Sequence, residues 1–135
     1  MHIIKFGSDS EFLKLEIPPN LSPEDWIDIS VEIKTNHFSG SISPCIELRD
    51  ILSLTVELEK LYETLKGSAS FDPRERQFKF KLESQVGGKI ELSGMAWSEA
   101  SYGSKLEFYL SLDQTFLYQP LNTLKLLAFK LKSNA

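Results

Sequence analysis

The sequence predicts an α+β fold of two layers: an antiparallel curved sheet of about eight strands with two helices packed on one face, in the order β4-α-β4-α. Three observations predict it. Most of the chain alternates apolar and polar residues at period two, the pattern of strands with one buried face. Leu48 to Lys66 and the segment after Asp113 instead repeat apolar residues every three or four positions, as amphipathic helices do. Finally, each half closes on a strand ending in Leu, an Asp soon after, and an apolar-periodic helix (IELRDIL and LSLDQTFL). That likeness favours an antiparallel meander with both helices on one side.

In order, His2 to Phe6 and Phe12 to Ile17 read as strands joined by the turn formers Gly7 to Ser10. In the second, Leu13, Leu15 and Ile17 share a face. Pro18-Pro19-Asn20 and Pro23 make the next connection irregular. Trp26 to Thr35 reads as one strand with Ile27, Ile29, Val31 and Ile33 inward. A slip of one residue would expose all four, so its pairing is firmly specified. After Asn36-His37, Phe38 to Leu48 reads as a strand with Phe38, Gly40, Ile42, Ile46 and Leu48 inward. Pro44 marks a bulge or an edge within it.

The first helix carries Ile51, Leu54, Leu58, Leu61 and Leu65 on one stripe, and Gly67 is placed to end it as the C-cap. Ser68 to Phe71 is a short strand, and Asp72 to Glu75 a turn. Phe78, Phe80 and Leu82 then alternate with Lys79, Lys81 and Glu83. Gly87-Gly88 can supply the positive φ angles of a tight hairpin. Ile90, Leu92, Gly94 and Ala96 return inward, opposed by Glu91, Ser93, Met95 and Trp97. Glu99 to Gly103 reads as a loop, and Leu106, Phe108, Leu110 and Leu112 as the last inner row. The final helix has the stripe Leu117, Leu121, Leu124, Ala128 and Leu131. Thr115 is a candidate N-cap, while Pro120 at the first helical position would start the helix at Gln119 instead.

A length of 135 residues fits a single α+β domain, 1–135, able to bury one core. Hydrophobic and charged fractions of 41% and 25% are those of a soluble globular chain. No apolar run is long enough to span a membrane and no signal peptide is evident, so a cytoplasmic protein is expected. The lone Cys45 fits a reducing compartment. Residues 1–65 hold 12 acids and 5 bases, a net −7, whereas residues 66–135 hold 7 acids and 10 bases, a net +3. The basic half lacks a dense Lys/Arg cluster with interleaved stacking residues, so nucleic acid is not an expected partner. The acidic half would attract a basic protein.

The inventory of chemistry is thin. His2 and His37 have no Cys, Asp or Glu at metal-ligand spacing. Gly87-Gly88 lacks the Lys-Ser/Thr and the following helix of a phosphate cradle. Asp113 reads as a cap or anchor of the helix junction rather than a catalytic acid. We therefore expect no catalytic residues, no cofactor, no metal and no enzymatic activity. What remains is the outer face of the sheet, which gathers Phe12, Trp26, Met95, Trp97 and Tyr109 among Asp28, Glu32, Glu91 and Glu107. Trp, Tyr and Met among charges have the composition of a protein-binding patch, although such side chains also serve simply to cover neighbouring strands. The candidate contact residues are Trp26, Asp28, Glu32, Glu91, Met95, Trp97, Glu107 and Tyr109.

Several motifs add a resemblance. Trp26 followed by alternating aliphatics, Phe38-Ser39-Gly40 leading into a strand, and the helix end LYETLKG resemble the WapI family of bacterial immunity proteins. The GxIELSG strand (Gly88 to Gly94) and the DQTFL entry to the last helix (Asp113 to Leu117) do so too. The resemblance implies a non-catalytic, cofactor-free cytoplasmic protein that neutralises the C-terminal domain of a cognate polymorphic toxin, often a nuclease, by binding it. It brings no catalytic residues, and the matching Gly40, Gly67, Gly94, Asp113, Gln114 and Thr115 are structural in character. A basic nuclease suits the charge of the N-terminal half. The alternative is a module that binds a small ligand between sheet and helices, which the aliphatic and Phe inner rows do not favour, or another protein-interaction module of unknown role.

Overall fold

Alternation places the first strands where it predicts them. In the computed structural model, which describes residues 1–19, 21, 26–99 and 102–133, β1 (His2–Gly7) pairs antiparallel with β2 (Phe12–Ile17). Asn20, Pro23 and the middle of the loop expected at 99–103 lie outside the described residues.

The strand expected from Trp26 to Thr35 is divided into β3 (Ile27–Asp28) and β4 (Ser30–Lys34). The one expected from Phe38 to Leu48 is likewise divided into β5 (Ser39–Ile42) and β6 (Cys45–Ile46). The register does not slip, because Ile27 faces Ile46 and Val31 faces Ile42 on one continuous frame. The break falls at Pro44, which has no N–H to give the ladder; its carbonyl still accepts from Ile29 N–H at 3.0 Å. Phe38, expected inward, precedes β5 and is 67% exposed. Leu48 belongs to the helix instead.

That helix, α1 (Leu48–Thr64), buries Ile51, Leu54, Leu58 and Leu61 as its stripe requires. It ends before Gly67. Leu65 is the C-cap at φ 53°, and its N–H bonds to Leu61 C=O at 2.8 Å. Leu65 also packs against the core, and that contact holds a leucine in the left-handed region. Next come β7 (Ser68–Phe71), β8 (Phe78–Ser84), β9 (Lys89–Glu99) and β10 (Tyr102–Asp113). Gly87 and Gly88 have φ of 82° and 79° between β8 and β9, as their hairpin demands.

Neither Thr115 nor Pro120 starts the last helix. Asp113 takes that place, its carboxylate accepting from Thr115 N–H at 2.9 Å, and a 3₁₀ turn (Gln114–Leu117) leads into α2 (Tyr118–Ser133). Pro120 lies in the first turn of α2, where its missing N–H has no helical partner to lose. Leu127 joins the expected stripe in the core.

The strands do not make one curved sheet. They form two four-stranded antiparallel sheets, in the orders β1-β2-β4-β5 and β10-β9-β8-β7, with β3 and β6 as a two-stranded ribbon. Inner rows of both sheets and both helix stripes enter one core. Phe6 of β1 meets Phe80 of β8 edge-on, with centroids 5.6 Å apart. Ile29, Leu92 and Phe108 are all buried. The helices flank edge strands, α2 along β1 and α1 along β7, and touch each other.

Candidate functional site

Five of the eight candidate residues come together on the outer face of the second sheet. Register makes the neighbourhood: β10 sets Lys105 beside Trp97, Glu107 beside Met95, Tyr109 beside Ser93 and Ser111 beside Glu91. On the other flank, β8 sets Lys79 beside Met95 and Glu83 beside Glu91. Tyr109 is 64% exposed, and Met95 and Trp97 are half-buried by their neighbours. The Lys105 ammonium lies 5.9 Å from the Trp97 ring centre and 3.2 Å from the Glu107 carboxylate. An open depression of about 320 Å³ runs among Ser70, Asp72, Lys79, Lys81, Met95 and Tyr109. A second, of about 370 Å³, continues it between Arg76 and Trp97, sharing Asp72 and Lys79 with the first.

The other three candidates stand on the first sheet and its ribbon. Trp26 is half exposed just before β3. Asp28 on β3 accepts from the Cys45 thiol at 2.7 Å, and this bond, with burial, pushes the thiol pKa up to about 11. Glu32 on β4 pairs with Lys14 at 3.3 Å. Phe12, expected on the outer face, is buried; Lys5 and Lys14 lie over its ring at 5.1 and 5.8 Å.

The acids of the N-terminal half are largely engaged inside the chain. Glu47 pairs with Arg49 and Arg74, Glu59 with Lys125, and Asp50 accepts from Glu47 N–H at 2.8 Å. Burial raises the Asp50 pKa. Asp72, Arg76 and Lys79 were missed as site residues. The signal for Lys79 was its place opposite the Phe78–Phe80 row, but nothing in the sequence brings the 72–76 turn beside Trp97. Among the described residues no polar or charged residue is buried, no group of His, Cys, Asp and Glu could hold a metal ion, and no helix is long and apolar enough to cross a membrane.

Fold and surface define a class: an α+β protein with an apolar core, helix-flanked sheets, and aromatic and charged side chains collected on an exposed sheet face. The chain belongs to the WapI-like immunity protein family, whose model matches residues 3–130. The partner that membership implies is a toxin protein. No curated protein matches the chain. Among solved structures it is similar to a chain of the Trypanosoma bruciei MRP1/MRP2 crystal structures, at a TM-score of 0.54 and 9% identity. That match covers 97% of this chain and 84% of the other, a likeness of fold alone.

Proposed function

We propose that this chain neutralises the C-terminal domain of a cognate polymorphic toxin in the cytoplasm by binding it, without catalysis and without a cofactor. The family match over residues 3–130 carries the reading. The gathering of Met95, Trp97 and Tyr109 among Glu91 and Glu107 supports the second sheet's outer face as the main contact, because aromatic side chains ringed by charges commonly supply most of the binding energy. Trp26, Asp28 and Glu32 stand apart from that face, on the first sheet and its ribbon, and would make a second, separate contact. A basic nuclease is the target that the net charge of −4 favours, since acidic side chains speed its approach and compete for its phosphate-binding surface.

The test is the affinity of the purified chain for the toxin domain encoded beside it. Trp97→Ala and Tyr109→Ala are each expected to weaken binding by about tenfold or more, with melting temperatures close to that of the parent chain. Unchanged affinity together with lost stability would mean that these side chains only cover the sheet. Association with a basic domain should also slow markedly from low to high salt; a rate indifferent to salt would remove the charge argument.

A further inference from the structure

The main-chain bonding pattern identifies one long strand edge that the fold leaves open. Trp97 N–H donates to Gln77 C=O at 2.9 Å, so the odd-numbered residues of β9 turn their main-chain groups toward β8. Successive residues of an antiparallel strand turn these groups to opposite sides. Even-numbered residues of β9 therefore bond to β10, through Leu106, Phe108, Leu110 and Leu112. Lys105, Glu107, Tyr109 and Ser111 consequently aim their N–H and C=O groups away from the sheet. Among the described residues, none of these groups has a hydrogen-bond partner outside β9, and β10 is the end strand of its sheet.

The other sheet edges are covered or short. On β1, Lys5 N–H donates to Gln119 Oε1 at 3.1 Å, and Gln119 Nε2 donates to Ile3 C=O at 2.9 Å, so one side-chain amide of α2 stands in for a strand. On β7, Ser70 N–H donates to Glu57 Oε1 of α1 at 2.9 Å. The fourth edge, β5, is only four residues long. An uncovered edge is a template for another strand, and natural folds normally blunt it. Here the helices close two edges, while β10 from Lys105 to Ser111 has no bonded strand on its outer side, although β1 packs near it and Glu11 borders it at Tyr109 to Ser111. Beside it is a depression of about 450 Å³ bordered by Glu11, Lys89, Glu91, Tyr109 and Ser111, where the carboxylates outnumber the ammonium.

We propose that the β10 edge from Lys105 to Ser111 receives an extended basic segment of the toxin as an added strand. This rests on the toxin-binding reading above and specifies how the toxin is held. Four outward residues spaced two apart present donors and acceptors over roughly 20 Å at a strand rise of ~3.4 Å. Main-chain bonding supplies affinity, while Glu91, Glu107 and Glu11 select a basic sequence. The same residues that offer outward main-chain groups carry Tyr109 and Glu107 on the sheet face, so edge and face make one continuous surface.

Amide hydrogen exchange of the full chain, alone and with the toxin domain, tests this. The amides of Glu107, Tyr109 and Ser111 should exchange quickly in the free chain and slow at least tenfold in the complex. Tyr109→Pro, which deletes an outward N–H and keeps the β9 ladder, should bind about tenfold or more weaker than Tyr109→Ala. A complex that protects other segments and leaves these amides fast would overturn the edge proposal while leaving toxin binding intact. Absence of any binding would overturn both. Protection already present in the isolated chain, with the mass of two chains, would assign the edge to a second copy instead.

Discussion

Cys45 and Asp28 form a pair whose behaviour follows from one short bond. The carboxylate that accepts the thiol proton would face a thiolate if the proton left, so the thiol ionises near 11 rather than at its ordinary 9.0. Alkylation of Cys45 should therefore accelerate with a midpoint near pH 11, and Asp28→Asn should move that midpoint down. Between about 9 and 11 the unfolded thiol has released its proton and the folded one has not, so stability falls as pH rises through that window. A denaturation midpoint that stays flat from pH 9 to 11 in the parent chain would contradict this. Gly94 makes the opposite kind of constraint. An added Cβ would overlap Phe108 Cζ and lie 2.8 Å from Lys79 C=O, so Gly94→Ala should destabilise by about 1–3 kcal/mol, read as a lower melting temperature.

The elements hold one another through a few polar side chains set over an apolar core. Gln114 Nε2 donates to Tyr62 C=O at 2.6 Å, tying the 3₁₀ turn to the end of α1. Asp113 caps that turn through Thr115 N–H, with the Thr115 hydroxyl donating to the same carboxylate oxygen. Asp113→Ala should cost about 0.5–2 kcal/mol in a denaturant titration. Gln119→Ala removes both bonds that close the β1 edge, and we expect a loss of about 1–2 kcal/mol. It should also speed exchange of the Lys5 amide and promote aggregation at high concentration, since the edge is then open. If the variant melts and aggregates as the parent chain does, Gln119 is not the seal described here.

For the molecule as a whole, the division between an oily interior and a wet exterior was largely legible in the residues. The rows Leu13 to Ile17, Ile27 to Ile33, Phe78 to Leu82, Ile90 to Leu92 and Phe108 to Leu112, with the α1 stripe, are in the core where their periods put them. Periodicity reports which way a side chain faces, and here nearly every apolar face had one place to go. The outward set Glu91, Met95, Trp97, Glu107 and Tyr109 was legible for the same reason. That Trp26, Asp28 and Glu32 stand apart from it was not, because alternation assigns a face but not a sheet. Phe12 keeps the outer face its period gives it but is covered there by Lys5 and Lys14, and Phe38 lies just before β5, where the chain is outside the ladder and the period no longer fixes direction.

By itself, then, the sequence determined the α+β class, the identity of most core residues, the two helices and the family likeness, all of which follow from local period and short motifs. Only the tertiary structure decided that the strands form two sheets, that a ribbon of β3 and β6 splits off at Pro44, and that α1 and α2 lie against edges. It alone decided which edge stays open. Those outcomes depend on hydrogen bonds and contacts between residues as far apart as Ile3 and Gln119, and no local pattern encodes a pairing at that distance.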